Sequence, residues 1–157
     1  MQQKGFTVVE LIIVLVVISI LAVGAFISWP GRGINVYGQA TQLANDVRYT
    51  QVLSMTKGQR YRLVKTSSTT YQIQNSSGTA IIGAMGSTTV TLGTGISFGT
   101  LTNLPNSLIA FDGNGTPYVD TGSPGTALSS TATMPLTDGS NTNTVSITPQ
   151  TGRVTIQ

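Results

Sequence analysis

Phe6 to Ile27 is a run of 22 residues broken only by the polar side chains of Thr7, Glu10 and Ser19. As an α-helix it spans roughly 33 Å at about 1.5 Å per residue, enough to cross the hydrocarbon core of a bilayer. The β-branched residues Val8, Val9, Ile12, Ile13, Val14, Val16, Val17 and Ile18 lower helix propensity in water. In lipid every backbone group must be satisfied within the segment, and helix is the only single-segment solution. An ordinary secretory signal is cut after its apolar region, beside small residues. Here the obvious processing point, Gly5 to Phe6, lies before that region. Cutting there removes Lys4 and leaves the apolar segment attached, with a new amine on Phe6. Lys4 predicts a cytoplasmic N-terminus and an exported remainder, with Arg32 on the far side pulling weakly the other way.

A carboxylate inside such a segment costs about 2.5 to 3.5 kcal/mol on insertion scales, so Glu10 needs a partner, a function, or a snorkelling path to the interface one turn away. The Lys4-Gly5-Phe6-Thr7 core, Glu10 and the long apolar run together resemble the class III leader of type IV prepilins and pseudopilins. The resemblance implies a prepilin peptidase that cuts after Gly5 and methylates Phe6. It also implies that Glu10 pairs with the N-terminal amine of a neighbouring subunit during assembly. Two opposite charges desolvated together favour one axial register, because a slipped register leaves both unpaired.

Beyond the stalk, about 120 residues suffice for one modest core. Only 8% of residues are charged, against about 25% in an average soluble protein, and Gly, Ser, Thr and Asn abound, which reads as an exported, β-rich surface. Cysteine is absent, so no disulfide staples the fold, although many major pilins carry a C-terminal disulfide loop. Histidine is absent too, removing the commonest general base and metal ligand.

Ser28 to Gly33 is a breaker cluster centred on Pro30, where the helix should kink or stop. A second helical pattern places Tyr37, Ala40, Leu43, Ala44 and Val47 on one apolar stripe, fading through Met55 and ending near Lys57-Gly58. Gln42, Asn45, Asp46 and Arg48 are read as its polar face. From Gln59 the period becomes two, with short pairs such as Tyr61 and Leu63, Tyr71 and Ile73, Ile109 and Phe111, Val145 and Ile147, and Val154 and Ile156. Residues 148 to 152 should turn an antiparallel hairpin, while residues 120 to 143 read as an exposed loop with at most one strand around Ala127 to Met134. The small-residue helix, the strand Gln59-Arg60-Tyr61-Arg62-Leu63-Val64, the Phe-Asp-Gly-x-Gly turn and the terminal Thr-Gly-Arg-Val hairpin resemble GspH/FimT-type minor pilins and pseudopilins. Gly31-Arg32-Gly33 before an aromatic residue and a Gln-rich helix is similar to minor pilins of mannose-sensitive haemagglutinin pili.

Arg48, Lys57, Arg60, Arg62 and Lys65 place five of the seven basic residues beyond Gly5 within 18 positions. Such a patch can hold nucleic-acid phosphates or form an ordinary solvated face. Some FimT-like proteins bind DNA through a C-terminal Gly-Arg-x-Arg run. Here the tail reads Gly152-Arg153-Val154-Thr155, which lacks the second arginine and its phosphate contact, so Arg153 reads first as a hairpin residue; Arg60, Arg62, Lys65 and Arg153 remain the candidate phosphate contacts, and an ordinary solvated face is the favoured reading. Asp112 to Asn114 and Asp138 to Asn143 offer oxygen ligands but lack the spacing of a calcium loop, and they read as turns. No serine or threonine has a histidine or a suitably spaced lysine as base, so no catalytic residue, metal site or cofactor is expected.

The expected fold is α+β, a long N-terminal hydrophobic helix packed on a small antiparallel sheet. Its parts are a leader (1–5), a membrane and assembly helix (6–27), an amphipathic helix (28–58) and a β head (59–157). The expected role is a minor pilin or pseudopilin of a type IV pilus or type II secretion-like filament, stored as a single-pass inner-membrane protein with its head periplasmic or extracellular. Its expected partners are other pilins, a prepilin peptidase and an inner-membrane assembly platform. A major pilin and a DNA-uptake receptor are the alternatives.

Overall fold

The computed structural model describes residues 8–27, 31–83 and 86–157, with the side chains of 20–27 and 31–34 outside the description. The chain divides into two compact units, residues 1–31 and 32–157.

The first unit contains helix α1, Val8–Ile27. From Val8 to Ile18 its apolar side chains are exposed on every side, from 74% at Val8 to 46% at Val14. A helix that is apolar all round needs lipid or other helices around it. Ser19 is satisfied internally, its hydroxyl donating to the Leu15 carbonyl at 2.7 Å. The described side chains of α1 end at Ser19, about 18 Å along the axis. Among the described residues no helix is long and apolar enough to cross a membrane.

Helix α2, Gly31–Lys57, begins inside the predicted breaker cluster and from residue 32 onward belongs to the second unit. It ends at Gly58, whose φ of 60° suits glycine. Gln59 N–H donates back to the Ser54 carbonyl at 3.3 Å, the closing bond of a glycine-terminated helix. The buried stripe is Val36, Ala40, Leu43, Ala44 and Val47, continued by Asp46, Thr50 and Ser54. This corrects the predicted stripe at three places. Tyr37 and Met55 are 57% and 52% exposed, and Asp46 is buried rather than solvated. The stripe tolerates hydroxyls at its lower end because each bonds locally. Thr50 donates to the Asp46 carbonyl at 2.7 Å and Ser54 to that of Thr50 at 2.9 Å. Ser54 Oγ in turn accepts the Tyr61 N–H.

Among the described residues nine short strands follow: β1 (Tyr61–Lys65), β2 (Thr70–Gln74), β3 (Val90–Thr91), β4 (Ser97–Phe98), β5 (Leu108–Phe111), β6 (Pro117–Tyr118), β7 (Ala132–Thr137), β8 (Thr142–Ile147) and β9 (Val154–Ile156). They form two antiparallel sheets, ordered β3-β2-β1-β5-β6 and β4-β7-β8-β9. Leu63 lies opposite Ile73 on one side and Ile109 on the other, so period-two alternation aligns apolar side chains across the first sheet. One continuous core joins the α2 stripe to Leu63, Tyr71 and Phe111 of the first sheet and Met134, Leu136 and Val145 of the second. The fold is therefore α+β, with α2 packed on antiparallel sheet.

The segment 120–143 departs from the loop reading. It contains all of β7 and the start of β8, while Ala127 makes only an isolated bridge to Tyr118. The strand expected around Ala127 to Met134 overlaps β7 at residues 132 to 134, and β7 runs on through Pro135. In place, its carbonyl accepts the Gly99 N–H at 2.9 Å, and the reciprocal bond that a proline cannot donate falls where β4 has already ended. Ala132, Met134 and Leu136 meanwhile keep the inward alternation. The 148–152 segment turns the β8–β9 hairpin, closed by Gly152 N–H to the Thr148 carbonyl at 3.0 Å.

Candidate functional sites

Glu10 lies in the first turn of α1 and is exposed. Gly5 and Phe6, the expected processing residues, lie outside the described residues.

The five clustered basic residues do not form one face. On β1 the alternation that turns Leu63 inward places Arg62 on the opposite face, together with Arg60, which immediately precedes the strand. Lys65 shares the parity of Leu63, and its ammonium lies 5.7 Å from the centroid of the Phe98 ring. Arg48 is on α2, where it donates to Asn45 Oδ1 at 2.8 Å and to the Val154 carbonyl at 2.9 Å, tying the helix to β9. Lys57 closes the last turn of α2. Arg153 leads into β9 in the other sheet and is exposed.

Arg60 is heavily engaged. Its guanidinium stacks 4.1 Å above the Tyr118 ring and donates to the backbone carbonyls of Gly122 and Pro124. It thereby pins the 120–126 loop against β6. Asp120 organises the same loop from within, accepting the Gly122 and Thr126 N–H groups at 3.1 and 2.9 Å. Hydrogen bonding from Thr126, ahead of the weaker effects of Gly122 and nearby Arg60, holds the Asp120 carboxyl below its ordinary range. Among the described residues Arg62 donates through its Nε, to Gln74 Oε1 at 3.0 Å.

The two acid-and-amide segments are built as turns. Asp112 Oδ1 accepts the N–H groups of Asn114 and Thr116, both at 2.9 Å. Asp138 Oδ1 accepts those of Ser140 and Asn141 at 2.9 and 2.7 Å. Their lone pairs face their own backbone, as turn chemistry requires. Among the described residues no group of three His, Cys, Asp or Glu side chains could hold a metal ion.

One polar constellation escaped the sequence reading. The Tyr71 hydroxyl donates to Asp46 Oδ2 at 2.6 Å, with Tyr71 fully buried and Asp46 only 3% exposed. Burial pushes the Asp46 carboxyl above its ordinary value, and the Tyr71 hydrogen bond opposes that shift. Burial and the neighbouring carboxylate push the Tyr71 phenol far above its own. The signal was present in the spacing, since Asp46 lies three residues beyond Leu43 and four before Thr50, both on the buried stripe.

Residues 1–26 match the prokaryotic N-terminal methylation motif. The fold behind that motif is similar to that of the type IV minor pilin FimU of Pseudomonas aeruginosa strain PAO1, seen in two crystal forms. One aligns at 15% identity over 77% of this chain and 91% of that chain, with a TM-score of 0.53. The other aligns at 14% identity over 78% and 87%, with a TM-score of 0.55. The chain thus joins an N-terminal methylation motif to a head with the fold of a type IV minor pilin. No curated protein matches its sequence significantly. At this identity the likeness to FimU is one of fold.

Proposed function

We propose that the protein is a minor pilin or pseudopilin, a structural subunit stored in the inner membrane and extracted into a type IV pilus or a type II secretion-like filament. The observation that carries this reading is a methylation motif over residues 1–26 ahead of a minor-pilin fold. The exposed apolar surface of α1 supports it, because that surface must exchange lipid for the α1 of neighbouring subunits. In this reading a prepilin peptidase cuts after Gly5 and methylates Phe6, and Glu10 pairs with the Phe6 amine of an adjacent subunit. Other pilins and an inner-membrane platform complete the assembly. The role is mechanical, with no catalytic residue and no cofactor.

Arg48 and Arg60 donate to backbone carbonyls within the fold, which favours structural roles over a nucleic-acid track for those two residues. The test is the intact mass and N-terminal sequence of the protein expressed with and without a prepilin peptidase. Loss of residues 1 to 5 with one added methyl is expected. An uncut N-terminus, or a cut beyond Ile27, overturns the assembly mechanism.

A further inference from the structure

We infer that the outer face of β1 carries a binding site for a terminal oxyanion, a phosphate-type group, held by Arg62. The site is a cleft of about 280 Å³ lined by Arg60, Arg62, Ser76, Thr121, Gly122 and Ser123. One wall is the Asn75–Gly78 turn that follows β2, the other is the 120–126 loop, and the floor is the outer face of β1.

Three features make this cleft suited to an anion. Its lining contains two guanidinium groups and three hydroxyls but no carboxylate. Asp120, beside this lining, accepts the Gly122 and Thr126 N–H groups of its own loop and lies near Arg60 rather than among the lining residues. The two arginines are also unequal. Arg60 is committed to the Gly122 and Pro124 carbonyls and to the Tyr118 ring, so it shapes the loop wall and supplies charge. Arg62 is fixed through Nε by Gln74, which leaves its two terminal nitrogens as the donor fork.

The fork is pre-set. The Gln74 bond is a cross-strand tether, since Arg62 and Gln74 are register partners on β1 and β2. The guanidinium also lies close to Gly78, where an added Cβ would come within 2.8 Å of Arg62 Nη2. A planar, pre-oriented fork matches an oxyanion bidentately, and flanking hydroxyls can donate to the remaining oxygens. A single available fork between two walls suits one terminal oxyanion. It does not suit a polyanion backbone, which needs a row of cations and binds with a steep salt dependence.

The experiment titrates the full chain in detergent micelles with inorganic phosphate, following the Arg62 Nε–H signal and the Ser76, Thr121 and Gly122 amides by NMR. Saturable shifts at these positions in the millimolar range are expected. Arg62→Gln should weaken binding at least about tenfold, Arg62→Lys should give an intermediate loss, and Arg153→Gln should leave binding unchanged. Thermal unfolding of each variant confirms that the head still folds. Shifts that never saturate, or that survive Arg62→Gln, overturn the site. A second arm compares a short oligonucleotide with and without a 5′-phosphate. Tighter binding of the phosphorylated form supports recognition of a terminal group, whereas equal binding of both forms, tighter than phosphate alone, assigns the cleft to internal phosphodiesters and overturns it. Peptidase processing is not involved in either arm, so this site and the assembly role fail independently.

Discussion

Replacing Tyr71 by Phe removes one hydroxyl from the middle of the head and leaves the ring's packing in place. The hydroxyl donates at 2.6 Å to Asp46, a carboxylate only 3% exposed on the inner face of α2. A hydrogen bond to a charged group contributes about 1.5 to 3 kcal/mol, and the short distance and burial put this one toward the upper end. The variant should therefore lose about 2 to 3 kcal/mol at neutral pH. That is a large share of the stability of a small domain. The cost should shrink in acid, because Asp46 then binds a proton and a neutral pair is worth only about 0.5 to 1.5 kcal/mol.

The same linkage governs the unmutated protein. The folded Asp46 pKa is raised above its ordinary 3.8, so the folded state holds the proton more tightly than the unfolded chain. Its contribution is fully present below the unfolded value and is lost as pH rises through the folded one. Asp46→Asn should flatten that part of the stability profile. The assay is urea unfolding of the full chain in micelles, followed by circular dichroism at a series of pH values. A loss below about 0.5 kcal/mol at neutral pH, or one equal in acid and at neutrality, refutes the reasoning.

Glu10→Ala should leave membrane insertion intact and impair incorporation into filaments, measured as the sheared fraction against the membrane fraction; normal incorporation would sink the pairing idea. Gly152→Ala should cost about 2 kcal/mol or more in urea unfolding, since φ is +63° and a Cβ would meet Gln51 Nε2 at 2.6 Å and Phe111 Cε1 at 2.8 Å. An unchanged midpoint would mean that the hairpin turn relaxes freely. Arg60→Gln should speed hydrogen exchange of the Gly122 and Thr126 amides while changing global stability by no more than about 1 kcal/mol. Unchanged exchange would show that Asp120 alone orders the 120–126 loop.

The helices were readable because their signals are local. A 20-residue apolar helix and a glycine-terminated second helix follow from periodicity and from the conformational freedom of Gly58. The β8–β9 hairpin and the self-bonded turns at Asp112 and Asp138 are equally short-range, settled within five residues of chain. Strand β7 was legible only at its start, where the strand expected around Ala127 to Met134 overlaps it, because Pro135 argues against a central strand unless its missing donor faces a position where the neighbouring strand has ended, and that depends on where β4 stops.

The candidate sites divide along the same line. Clustering in sequence put Arg60, Arg62 and Lys65 on one list, but the two-residue period of β1 separates Lys65 from the arginines. Pairing with β2 and approach of the 120–126 loop then leave Arg62 with an open fork and commit Arg60 to backbone carbonyls. Asp46 changed from a surface acid to a buried one because Tyr71, 25 residues away, brings a donor to it. Periodicity and turn chemistry act between near neighbours and so can be read from the chain alone. Which polar groups find partners across the core is decided only when distant segments meet, because burial makes an unpaired charge too costly to leave and pairing needs a donor from elsewhere in the fold.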